Sequence, residues 1–66
     1  MPKPLHEVIR ELREARAMTQ EQLAWKAKVT PGHLAQLERG EVTTPRLDVV
    51  RRVARALGVP LKDLLV

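Results

Sequence analysis

Sixty-six residues leave room for one domain, 1–66, whose small core must be efficient. Cysteine is absent, which excludes a disulfide framework and a thiolate metal site. No apolar run approaches the roughly 20 residues of a membrane span, and the start Met-Pro-Lys-Pro lacks the apolar centre of a signal peptide, so a soluble cytoplasmic protein is expected. The formal net charge of +4 suits a polyanionic partner. It is spread as +1, +1 and +2 over residues 1–18, 19–40 and 41–66, so the chain carries no basic tail. Trp25 is the only aromatic residue, which argues against base stacking on single strands.

In chain order, the pattern predicts five helices and no strand. The first covers about 4–17, with Leu5, Val8, Ile9, Leu12 and Ala15 on one stripe. The second covers about 20–28 and buries Leu23, Ala24 and Ala27. Thr19 can cap it, with Gln22 completing a capping box. The third covers about 31–39 and buries Leu34 and Leu37. Thr30 is its cap, Pro31 suits its first position, and Gly40 closes it in the left-handed conformation. The fourth is expected over 45–57, capped at Thr44-Pro45 and ended by Gly58. Its core side chains would be Leu47, Val50, Val53, Ala54 and Leu57. Pro60 opens a fifth, over 60–65, with Leu61, Leu64 and Leu65.

One short helix thus turns directly into another between Thr19 and Gly40. That is the layout of a helix-turn-helix, whose second helix can be presented to a DNA groove. Small Ala24 and Ala27 should let the two helices approach closely. Trp25 projects away from Leu23, Ala24 and Ala27. Its expected fate is a fold back over the domain edge, and the alternative is a contact surface. Arg51, Arg52 and Arg55 share one face of the fourth helix, expected to be solvated and balanced by Asp48.

An ordered set of segments resembles the Cro/repressor-type (XRE-like) helix-turn-helix family. It comprises Ile9-Arg10-Glu11-Leu12-Arg13, Met18-Thr19-Gln20-Glu21-Gln22-Leu23-Ala24, Leu37-Glu38-Arg39-Gly40, Pro45-Arg46-Leu47 and Ala54-Arg55-Ala56-Leu57-Gly58-Val59. The resemblance runs from about Leu5 to Leu65 and implies an all-α, five-helix, lambda-repressor-like DNA-binding domain. It places Gln20 on a DNA phosphate, in keeping with the free N–H groups and positive dipole of a helix start. It places base-reading on Pro31, Gly32, His33 and Gln36. Gln36 can pair bidentately with adenine. His33 offers a donor to guanine or phosphate, or is simply solvated. Pro31 and Gly32 depart from the polar readers common at their positions. Further phosphate contacts would come from Arg39, Thr43, Thr44 and Arg46, joined by Lys28. Arg13 and Glu38 match positions that form an ion pair between the first and third helices, expected to be partly buried.

These residues imply a sequence-specific regulator, a repressor in expectation, bound to double-stranded DNA. A homodimer is expected through apolar side chains left over after the core is filled: Val49, Leu61, Leu64, Leu65 and Val66. The alternative is a protein-interaction module of antitoxin or coactivator type on the same fold. Catalysis is not expected. His6 and His33 fall on different helices, serine is absent, and no Gly-rich phosphate loop occurs. No catalytic residue, metal-ligand cluster, cofactor, membrane partner or small-molecule effector is evident.

Overall fold

Apolar periodicity and paired caps yield four α-helices in the computed structural model, which describes residues 3–65. They are α1 (Leu5–Ala15), α2 (Gln20–Ala27), α3 (Pro31–Glu38) and α4 (Leu47–Leu57), followed by a 3-10 turn at Leu61–Asp63. No strand occurs among the described residues. α2 packs chiefly against α4 and α3, and α1 packs against α3. One apolar cluster joins Ile9 of α1, Leu23 and Ala24 of α2, Leu34 of α3, Val53 of α4 and Leu64 beyond the turn.

All four helices end by the same device. The next-but-one N–H reaches back over the last turn while one residue adopts a positive φ, satisfying carbonyls that would otherwise be orphaned. After α3 that residue is Gly40 (φ 75°), with Glu41 N–H donating to the Gln36 carbonyl. After α4 it is Gly58 (φ 73°), with Val59 N–H donating to the Ala54 carbonyl. After α1 and α2 it is a residue with a side chain, Ala17 (φ 55°) and Lys28 (φ 59°). A β-carbon in that conformation costs about 1–2 kcal/mol, against about 0.5–1 kcal/mol for the extra freedom that glycine loses on folding. Ala17 is exposed, so Ala17→Gly should stabilise the fold and raise its melting temperature by a few degrees. A lower melting temperature for that variant would contradict the account of this cap.

Four expectations change. α1 stops at Ala15, which is exposed rather than core-facing, because the chain reverses at Ala17. α4 starts at Leu47, not at Pro45. Its N-cap is Arg46, whose backbone is extended (ψ 137°) and whose carbonyl accepts from Val50 N–H, so Thr44 caps nothing. The stripe of α4 is correspondingly rotated: Val49 is buried with Val50, Val53, Ala54 and Leu57, while Leu47, at the open first turn, is 52% exposed. The fifth helix is only the Leu61–Asp63 turn, closed by i to i+3 bonds such as Leu64 N–H to the Leu61 carbonyl. That turn delivers Leu64 into the core. So short a segment gains too few bonds to offset the cost of nucleating an α-helix.

Ala24 is fully buried in α2, the helix that packs on both α3 and α4. Ala24→Leu would force three extra carbons into that space and should destabilise the fold by about 1–3 kcal/mol. An unchanged melting midpoint would contradict the close approach of these helices.

Candidate nucleic-acid interface

The two caps expected from the sequence are both formed, and they aim the helices. At α2 the Gln22 N–H donates to Thr19 Oγ1 at 3.0 Å, and the Thr19 N–H donates to Gln22 Oε1 at 2.8 Å. At α3 the His33 N–H donates to Thr30 Oγ1 at 3.1 Å, with Pro31 in the first helical turn. Between them Lys28 takes the left-handed conformation that ends α2, and three residues suffice to start α3.

Leu34 and Leu37 fasten the inner face of α3 to the core. Gly32 and Gln36 are exposed on its other side with His33 half-buried beside them, and Pro31 is exposed at the open first position of the helix. α3 therefore offers a short outward face with one amide, one imidazole and little side-chain bulk in its first turn.

The pose of α3 is set by a polar network at its far end. Glu38 is 1% exposed. Arg13 grips it with two bonds, Nε to Oε2 at 2.7 Å and Nη2 to Oε1 at 3.0 Å. Arg13 Nη1 also donates to the Met18 carbonyl at 2.7 Å. Gln20 Nε2 donates to Glu38 Oε1 at 3.1 Å. The network joins the end of α1, the start of α2 and the end of α3. It places a cation against a carboxylate at a helix C-terminus, where the carboxylate alone would be unfavourable. The Gln20 link was not expected from the sequence. It orients the Gln20 amide and leaves one amide N–H and the first two backbone N–H groups of the helix, those of Gln20 and Glu21, for an anion, since Thr19 takes the Gln22 N–H.

The other polar positions are divided. Thr43 and Thr44 are exposed in the loop after α3. Arg39 is already held by Glu41, Nε to Oε2 at 2.7 Å, and that hydrogen bond keeps the Glu41 carboxyl below its ordinary value. Arg46 lies 3.2 Å from Asp48. A phosphate must compete with these carboxylates, although both pairs are exposed and weak. Lys28 is grouped elsewhere, in the wall of a cleft between α2 and α4 with Lys26, Arg52 and Arg55. Arg52 is not simply solvated: its Nε is buried, and its Nη1 lies 3.4 Å from the Lys28 carbonyl. His6 is half-buried against Gly40, where a β-carbon would come within 2.9 Å of its Nδ1.

The expected dimer residues also divide. Val49 and Leu64 are in the core and unavailable to a partner, because the rotated stripe of α4 takes the first and the 3-10 turn delivers the second. Leu61 is half-buried and Leu65 is 59% exposed. Val66 lies outside the described residues. Trp25 does not fold back over the domain edge. It is 82% exposed, on the side of α2 away from the buried Leu23, Ala24 and Ala27.

A family model described as helix-turn-helix matches residues 9–64. The uncharacterized HTH-type transcriptional regulator RghRB of Bacillus subtilis is 32% identical over 62 residues, covering 94% of this chain and 45% of the relative. The HTH-type transcriptional regulator DdrOP3 of Deinococcus deserti is 36% identical over 61 residues, covering 92% of this chain and 46% of the relative. The chain thus spans about half the length of these curated relatives. The crystal structure of SinR, a master regulator for biofilm formation, in complex with DNA superposes with a TM-score of 0.89 at 27% identity, covering 94% of this chain and 98% of that one.

Proposed function

The chain belongs to the XRE-type helix-turn-helix family, and from that premise we propose that it is a sequence-specific regulator of transcription that binds double-stranded DNA through α3. The observation that carries this reading is the division of α3. Its inner face is locked by Leu34, Leu37 and Glu38, and its outer face is left open at Pro31, Gly32 and Gln36. A helix so held can enter a major groove without rearranging.

In this reading Gln36 pairs with an adenine edge and His33 donates to a base or phosphate. Pro31 and Gly32 let the backbone approach the base edges closely. Gln20 and the free N–H groups of α2 hold one phosphate strand. Arg39, Thr43, Thr44 and Arg46 hold another, and Lys28, set in the α2–α4 cleft, is left out of this contact. The protein acts in the cytoplasm as a repressor by occupying its operator, and it performs no catalysis. SinR, its structural neighbour, is seen on DNA, which supports the same use of this fold here.

Gln36→Ala tests the assignment. It should leave folding unchanged and weaken discrimination at one base pair by about 1–3 kcal/mol. Equal loss on every sequence would instead make Gln36 a phosphate contact. Binding should also fall with salt, by a log–log slope of about −0.9 for each phosphate neutralised.

Two copies on adjacent half-sites would supply the affinity that one small domain lacks. With Val49 and Leu64 committed to the core, the proposed contact reduces to Leu65, with Leu61 beside it. Leu65→Glu should convert a dimeric sedimentation mass to a monomeric one. A dimer that persists in that variant would rule this contact out.

A further inference from the structure

Lys28 lines two clefts, and they differ in character. One, of about 540 Å³, is mainly apolar and is walled by Trp25, Val29 and Pro31. The other, of about 260 Å³, is walled by Lys26, Ala27, Lys28, Arg52 and Arg55. No carboxylate lines either one. Among the described residues Lys26, Lys28 and Arg55 form no ion pair, and Arg52 pairs with the exposed Asp48 alone, at 3.9 Å, while its Nη1 donates to the Lys28 carbonyl. The Arg52 Nε is buried without a hydrogen-bond partner. A buried donor left unmade is unfavourable, and it adds to the uncompensated positive charge of this wall.

We propose that this α2–α4 surface docks an acidic segment of a partner protein, whose carboxylates meet Arg52, Arg55 and Lys26 while a neighbouring apolar side chain packs on Trp25. Charge complementarity and the apolar platform together select this occupant. A DNA backbone or a free phosphate would satisfy the cations but leave Trp25 and Val29 facing water. An uncharged apolar segment would bury Trp25 but leave Lys26 and Arg55 without a counter-charge. Tryptophan and arginine are also the side chains that most often dominate binding energy at protein interfaces. The apolar cleft stops at Pro31, and Gln36 is not among its walls, so the segment abuts the proposed DNA-reading face without covering its amide.

The test is selection of displayed random 12-residue peptides on the whole chain. The same selection is run on Trp25→Ala and on Arg55→Gln, both exposed positions whose replacement leaves the core intact. Fluorescence of Trp25, the only tryptophan, reports binding of the selected peptides to the unaltered chain and to Arg55→Gln, and titration calorimetry reports it for Trp25→Ala. The expected result is enrichment of peptides that combine Asp or Glu with a large apolar residue, binding at least about tenfold more weakly to each variant, a loss of about 1.4 kcal/mol. Enrichment without that consensus, or a consensus indifferent to both variants, would overturn the proposal. So would competition by inorganic pyrophosphate against peptides that need no apolar residue, which would reduce the site to an anion pocket. Loss of duplex binding in both variants would assign the surface to DNA instead. Because the peptide readout requires no DNA, it is unaffected if the DNA-binding reading fails.

Discussion

Replacing Arg13 with alanine should lower the free energy of unfolding by about 3–5 kcal/mol, the largest single effect expected in this protein. Glu38 is almost fully buried and receives two hydrogen bonds from Arg13 and one from Gln20. With the guanidinium gone, a carboxylate would remain in a largely dry position with one neutral amide donor. The Met18 carbonyl would also lose its bond from Arg13 Nη1. Scaled by length, a domain of this size has only about 3–10 kcal/mol to lose, so the variant should be largely unfolded at modest urea concentration. The double variant Arg13→Met/Glu38→Leu should recover much of the loss, since apolar replacements of a buried pair are often neutral or better. A change under about 1 kcal/mol for Arg13→Ala would place this pair with ordinary exposed ion pairs.

Leu34→Ala should cost about 2–5 kcal/mol, from lost burial and the cavity left between α3 and the core. Leu34 is fully buried, and it sits two residues from Gln36 on the opposite side of the same helix. The pair therefore separates anchoring from reading. Leu34→Ala should lower the urea midpoint strongly and weaken DNA binding at all sequences together, because the helix is no longer held in one pose. Gln36→Ala should leave the midpoint within about 0.5 kcal/mol, as for other exposed sites, and alter preference at one position only. If Leu34→Ala changed neither midpoint nor affinity, α3 would not be fastened as described.

The helix-turn-helix itself was legible because its signals are local. A threonine three residues before its backbone partner, a proline in the first turn and a glycine after the last turn each act within one turn of helix. Thr19, Thr30, Pro31, Gly40 and Gly58 behave as read. Thr44-Pro45 carries the same local signal and fails. The chain stays extended through Arg46, and its first turn exposes Leu47 while Val49 enters the core. Nothing local separates those two side chains, since each lies on an edge of the apolar stripe and the neighbouring elements decide which edge is covered. The fates of Leu64 and Trp25 are tertiary in the same way. The left-handed turns at Ala17 and Lys28 were hidden because their residue types do not announce a positive φ. The Arg13–Glu38 pair came from a family likeness, and its third member, Gln20, from geometry alone. The buried Nε of Arg52 was hidden because a helical wheel treats a long side chain as a direction rather than a path.

The most direct test of the proposed function is selection of random duplex DNA on the purified chain, read by sequencing, alongside the Gln36→Ala variant. The account predicts enrichment of one short consensus, with an adenine whose preference disappears in the variant while the flanking preferences persist. An inverted repeat with half-site centres about 34–36 Å apart would add the dimer. Enrichment of no sequence, or a consensus unchanged by loss of the Gln36 amide, would contradict the placement of α3 in the groove.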